Sequence, residues 1–342
     1  MIKSISLSNF RKFDKLNIET NKNLVILVGS NAVGKTTVLE SIYLASTFKS
    51  HRTNDLSDLI KEGKPYAKIF INSDHKYEVI LSQNKKKGLI DGIEQKKASD
   101  FVANLHTVIF SPSDLSIVSG SPSVRRHFLD IELSMLNKRY LDCLSKTKYF
   151  LKQRNELLKK DNIDLKMLEV LTNQFIESQS LIIRSRLKFI NLLNQKLNLI
   201  HETISNGEKL ELKYISTIDL DKAKEIYKLQ LKKEMFLKTT TLGFHRDDFE
   251  IYLNDHLANA YASQGQMRNI AISIKIALVM VYEQYLGKYP ILLLDDVFSE
   301  LDDSRQSNLV KFLLDKPQTF ITTTTLDGVY SELLSKALVI KL

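Results

Sequence analysis

Cysteine occurs once in the 342 residues, at Cys143, so an intramolecular disulfide and a cysteine-cluster metal site are both excluded. That usage fits a reducing cytoplasm. The opening "MIKSISLSNFRKF" has no apolar core of signal-peptide length. No uninterrupted run of about 18 apolar residues occurs, and the longest candidate carries Asn269, Ser273 and Lys275, so no membrane span is expected. Internal repeats and low-complexity tracts are also missing. Acidic residues are in deficit: 49 Lys+Arg face 40 Asp+Glu, a net charge of +9. Such a balance suits nucleic acid or an anionic surface and by itself proves neither. The length points to two domains, or one domain with a large insertion.

Several elements are legible from pattern. "NLVILVG" (23–29) is a short apolar run ended by glycine and predicts a buried strand. "KTTVLESIYLASTF" (35–48) has helical apolar spacing. Residues 66–92 alternate as an antiparallel meander, with "NKKKG" (84–88) as a polar turn, and "HTVIFSP" (106–112) is a further strand. Helix dominates from about 123 to 205, broken at "KKDNID", where Asp164 can cap the next helix. From about 237 strands return: "DFEIYLND", "HLANAYA", "YPILLLDD", "QTFITTTT" and "KALVIKL". The expectation is an α/β body, 1–110 with 237–342, split by a mostly helical inserted lobe, 111–236.

"GSNAVGKT" (29–36) matches G-x-x-x-x-G-K-[ST] between a predicted strand and a predicted helix. Gly29, Ser30, Asn31, Ala32, Val33 and Gly34 would aim backbone N–H groups at phosphates, and the helix start adds partial positive charge. Lys35 would reach the β- and γ-phosphates, and Thr36, followed by Thr37, would ligate Mg²⁺. In "ILLLDDVFSELD" (291–302), Asp295 emerges at the C-terminal end of a buried strand, the edge where parallel sheets bind ligands. It would share the metal with Thr36. Asp296 would orient or deprotonate an attacking water.

A second candidate anion site lies in "ASQGQMR" (262–268), where Ser263, Gly265 and Gln266 open an apolar helix. It reads either as a plain N-cap or as half of a head-to-tail dimer site, capping a nucleotide on another subunit's phosphate loop. Between 138 and 160, Lys138, Arg139, Lys148, Lys152 and Arg154 belong to a cluster of eight basic residues among two acids. That helix is a candidate track for nucleic-acid phosphates or a solvated face.

The phosphate loop, "SQGQ", "LLLDD" and "SELD", in this order, resemble an ABC-type ATPase head. The RecF family, related to SMC proteins, is similar along nearly the whole chain, through "LSNFRKF" (7–13), "KSHRTNDLSDLIKEG" (49–63), "VIFSPSDLSIVSGSPSVRRHFLD" (108–130) and "GFHRDDFEIYLN" (243–254). The resemblance implies an ABC-type P-loop ATPase head with an antiparallel β meander and an inserted helical lobe. It also implies ATP and Mg²⁺ as cofactors, slow DNA-stimulated hydrolysis, and an ATP-dependent homodimer on duplex DNA or single-strand/duplex junctions. RecR and RecO are the implied partners, in loading RecA at gaps during recombinational repair and fork maintenance. Carried over by position, Lys35 and Asp296 are catalytic, Asn9 and Arg11 lie beside the nucleotide, and Ser299 to Asp302 face the other subunit. The chain departs from the family pattern at Ala32, where glycine is usual, and at Phe244, where proline is usual. "FITTTT" leaves Thr323 or Thr324 in place of the switch histidine of transporter heads, and Asp114 is the nearest match to a Q-loop glutamine. A transporter ATP-binding subunit would need that histidine and a groove for membrane helices. An SMC-like chromosome protein would need a far longer helical insertion.

Overall fold

The computed structural model describes residues 1–205, 207–297, 318–326 and 331–342. They form two compact units, Met1–Asp114 with Leu278–Leu342, and Leu115–Ala277.

In the first unit, β1 (Ser4–Phe10), β2 (Phe13–Glu19), β4 (Tyr66–Asn72), β5 (Lys76–Ser82), β6 (Lys85–Ile90) and β7 (Ile93–Glu94) make an antiparallel sheet of order β2-β1-β4-β5-β6-β7. Period-two alternation drives it: Ala67, Ile69 and Ile71 of β4, and Tyr77, Val79 and Leu81 of β5, are fully buried, while the residues between them are not. The second sheet is parallel, of order β14-β3-β13-β12-β8, from β3 (Leu24–Val28), β8 (Thr107–Phe110), β12 (Ile291–Asp295), β13 (Thr319–Thr323) and β14 (Leu338–Lys341). Every residue of β3, β8, β12 and β13 is buried, as expected of parallel strands covered on both faces. Helix α1 (Lys35–Thr47) is buried at every position but Thr36. The turn expected at 84–88 is shorter than its composition suggests. Lys85–Gly88 lie within β6, and Lys86 Nζ donates to the Phe48 carbonyl at 2.6 Å, sealing the end of α1.

The second unit is mostly helical: α4 (Pro122–Leu136), α5 (Lys138–Leu158), α6 (Leu165–Ser205) and α7 (Ala223–Leu237), preceded in the chain by the short α2 (Ala98–Phe101) of the first unit and by α3 (Leu115–Ser119). A three-stranded sheet of order β11-β10-β9 accompanies them, from β9 (Leu210–Ile215), β10 (Asp248–Leu253) and β11 (His256–Leu257). Asp164 accepts from the Met167 N–H at 3.0 Å, capping α6 where the break was expected. "HLANAYA", expected as a strand, is strand only at His256–Leu257 and then turns helical as α8 (Ala258–Tyr261). Helix α9 (Gln264–Leu286) has the length and composition of a membrane span, yet 67% of its apolar window is buried inside the fold. It is a core helix, with Asn269, Ser273 and Lys275 themselves buried.

Candidate functional site

The chain leaves β3 and enters α1 through Gly29–Gly34. Gly34 adopts φ 108°, and a Cβ there would lie 2.4 Å from the Phe13 ring, so no other residue suits this position. Ala32 also takes a left-handed φ of 63°, which explains why glycine suits its position better. No side chain caps α1, so its first-turn N–H groups are left for an anion. Lys35 Nζ donates to the Gly29 and Ser30 carbonyls at 2.6 and 2.9 Å.

Thr36 Oγ1 donates to Asp295 Oδ1 at 2.8 Å. The same carboxylate oxygen accepts from Thr322 Oγ1 at 2.9 Å, and Thr322 Oγ1 accepts from the Asp296 N–H at 2.9 Å. A hydroxyl and a carboxylate meeting at the mouth of the loop form a hard-oxygen donor pair that suits Mg²⁺. Asp296 leaves β12 with a left-handed φ of 54°, which takes it out of the strand's alternation. Asn31, Ala32, Gly34, Lys35, Thr36, Thr37, Asp295 and Asp296 all line one cavity of about 710 Å³. Arg11, Lys12, Arg52 and Lys61 line it as well, with Asp58 and Glu62 among them. Ser30 contributes its carbonyl to Lys35, and neither it nor Val33 lines the cavity.

Thr322 is the residue that sequence reading missed. The "FITTTT" string points to Thr323 or Thr324, but Thr323 Oγ1 donates to the Thr325 carbonyl at 2.8 Å. The parallel register pairs Asp295 with Thr322, and that pairing is the signal that would have found it. Arg11, at φ 54°, forks onto Glu40 at 2.9 and 2.7 Å and donates to the Asp58 carbonyl at 2.9 Å. Burial opposes ionisation of Glu40, but hydrogen bonds from Arg11 and Ser50 outweigh it and hold the carboxyl below its ordinary range. Asn9 does not line the cavity; its carbonyl accepts from Lys61 N at 2.8 Å. Asp114 accepts from the Ser111 N–H at 2.8 Å and caps a local turn outside the cavity lining. Ser299 to Asp302 lie outside the described residues.

The start of α9 is different. The Ser263 N–H donates to Gln266 Oε1 at 2.9 Å and the Gln266 N–H to Ser263 Oγ at 3.2 Å, a reciprocal capping box. Gln266 Nε2 then donates to Glu208 Oε1 at 2.6 Å. Ser263, Gln264 and Gly265 are exposed, and a Cβ on Gly265 would meet only Ser263 Oγ, 4.0 Å away.

On α5, Lys138, Arg139, Lys148 and Lys152 are accessible to solvent to differing degrees. Lys148 pairs with Asp130 at 3.2 Å, and Lys152 with Glu156 at 3.8 Å. Arg154 is a correction: it is 1% exposed and donates to Thr172, Thr240 and Glu234, so it holds helices together and offers nothing to nucleic acid. Its helical spacing from Tyr140, Thr147 and Leu158, all buried, would have flagged this. The strings "RRHFLD" and "HRDD" meet inside the second unit. Arg125 forks onto Asp248 at 2.8 and 2.7 Å, and Arg126 donates to the Asp247 carbonyl at 2.8 Å. Burial pushes His245 down to about 4.

The chain matches the family described as the RecF/RecN/SMC N terminal domain over residues 1–339. A protein named DNA replication and repair protein RecF, from Bacillus velezensis, is 39% identical across 98% of this chain and 96% of its own length. The protein of that name from Bacillus subtilis gives the same figures. A solved structure of the recombination mediator protein RecF with ATP, described as part of the RecFOR pathway, superposes with a TM-score of 0.91 at 32% identity, covering 96% of this chain and 93% of that one. An Smc head domain from Pyrococcus furiosus, 15% identical with a TM-score of 0.56, shares the fold.

Proposed function

Because the chain belongs to the RecF family, within the RecF/RecN/SMC class of ATPase heads, we propose that it is an ATP-driven DNA-binding protein of replication and recombinational repair. ATP closes two subunits on DNA and slow, DNA-stimulated hydrolysis reopens them. The observation that carries this reading is the 2.8 Å contact between Thr36 and Asp295, distant in sequence and brought together beside an uncapped helix start.

On this reading the loop N–H groups and Lys35 hold the phosphates, while Thr36 and Asp295 hold Mg²⁺. Neutralisation of the β- and γ-phosphate charge is the chemistry that ion supplies when bound. Asp296 orients the attacking water and takes its proton. Ser263, Gly265 and Gln266 complete the site on the other subunit, because the start of α9 is exposed and Gly265 has no neighbour in its own chain that demands glycine. Lys138, Arg139, Lys148 and Lys152 contact DNA phosphates at a duplex or a single-strand/duplex junction. RecR and RecO are the partners that the family suggests, and the cytoplasm is where the protein works.

Sedimentation with and without ATP, each with and without duplex DNA, tests the reading. The expected result is a monomer that becomes a dimer only with ATP and is retained on DNA. A chain that sediments with membranes, or whose mass ignores ATP, would favour a transporter subunit instead. Replacing Lys148 and Lys152 together should flatten the log K against log[salt] slope by about 1–2 units. An unchanged slope moves the DNA surface off α5.

A further inference from the structure

Helix α7 is attached to its unit by one face. The Tyr227 hydroxyl donates to the Leu242 carbonyl at 2.9 Å, and Glu234 accepts from Arg154 at 2.6 Å and from the Thr241 N–H at 2.7 Å. Leu231 and Met235 pack beside Leu157, Leu158 and Leu168. These contacts account for why the helix stays in place.

The opposite face carries Leu229, 81% exposed, and Phe236, 85% exposed, the two most exposed large hydrophobic side chains among the described residues. A spacing of seven residues puts them on the same side of the helix, two turns apart. Lys228, Lys232 and Lys233 are exposed beside and between them. The helix holds four lysines against two glutamates, and one of those glutamates, Glu234, is buried on Arg154. Glu225, exposed one turn before Leu229, is the only acid on this face against three lysines. Single exposed apolar residues are ordinary, but an aligned pair in a predominantly basic frame marks a contact surface.

We propose that this face of α7 docks an acidic segment of a partner protein, whose apolar side chains cover Leu229 and Phe236 while its carboxylates meet Lys228, Lys232 and Lys233. A nucleic acid would leave Leu229 and Phe236 without an apolar partner, because phosphates reward only the lysines. A second copy is disfavoured, because a two-fold contact of this face with itself would bring like charges together. An acidic partner gains from both features, charge steering the encounter and the apolar pair setting how long it lasts. None of its residues lines the nucleotide cavity.

The test uses the full chain with Phe236→p-benzoylphenylalanine, irradiated in growing cells, with the cross-linked peptide mapped by mass spectrometry. One predominant protein adduct is expected, in a segment where Asp or Glu flanks apolar residues. Charge reversal of Lys228, Lys232 and Lys233 to Glu should cut its yield by about tenfold or more. A synthetic peptide of the mapped segment should bind the purified chain, and Leu229→Ser with Phe236→Ser should weaken that binding about tenfold, with thermal unfolding and ATP turnover unchanged. Adducts on DNA, on a second copy or on a basic segment would overturn the proposal. So would the absence of a predominant adduct, a yield indifferent to charge reversal, or peptide binding unaffected by the paired serine substitutions.

Discussion

At the start of α1 no side chain caps the helix, and at the start of α9 Ser263 and Gln266 cap each other. The first start is defined from within. Phe13 enforces Gly34, and Lys35 and Thr36 each have partners in their own chain. The second is held rigid by its capping box and by Glu208, but it presents Gly265 to open space. A glycine demanded by its own chain is a feature of the fold. A glycine with no such demand leaves room for the second subunit proposed above.

The largest test of this contrast removes the chemistry from one side only. Asp296→Asn should keep ATP binding and lower hydrolysis by about 10²–10⁴-fold, accumulating a closed dimer. Turnover near the unmodified rate would take Asp296 out of the mechanism. Next come the two glycines. Gly34→Ala should cost about 2–3 kcal/mol in chemical denaturation, from the left-handed backbone and the Phe13 overlap. Gly265→Ala should leave stability unchanged or slightly raised while abolishing the ATP-dependent dimer. Equal losses of stability would erase the distinction.

Mixed dimers provide a subtler measurement. A chain with Asp296→Ala and another with Ser263→Ala, each poorly active, are combined. If the α9 start acts across subunits, both lesions fall in one site and the other is intact. Random pairing then yields roughly a quarter of the original ATPase, by the symmetry of a two-fold interface. Mixed dimers of the right mass with no gain over the single variants would make the α9 start a purely local cap. The smallest effect belongs to Ala32→Gly, where relief of about 1 kcal/mol of left-handed strain is offset by the added freedom of the unfolded chain. The net change should stay within about 0.5 kcal/mol, and a larger loss would show that the Ala32 methyl contributes packing of its own.

How much could be read from sequence depended on how local each determinant is. The apolar run of β3, the glycine spacing of the phosphate loop and the alternation of β4 and β5 all lie within a few residues, and the fold displays each of them. S-x-x-Q at 263–266 carries its own capping chemistry in the string. Helix α7 was not anticipated, for a physical reason: with Leu229 and Phe236 on its outer face, apolar residues occur all round and blur the helical period. β9 is short and gave no separate signal. Arg154 is one charge among eight in the sequence, and a census of charge ignores the face on which each residue falls. Thr322 needed the register between β12 and β13, which no local pattern contains.

Parallel pairing in the first unit also sets an order of assembly. β3 is made early, yet its neighbours in the sheet are β13 and β14, near the end of the chain. Gln318 ties the same ends, its side chain bonding both the N–H and the carbonyl of Ile2 at 2.6 and 2.8 Å. At ordinary synthesis rates β3 waits roughly 15–60 s for its partners, with the whole second unit emerging in between. During that interval "LVILV" is an apolar strand with two unpaired edges. The ribosome-bound chain is therefore open to aggregation at the segment that, once the last strand arrives, leads directly into the phosphate loop.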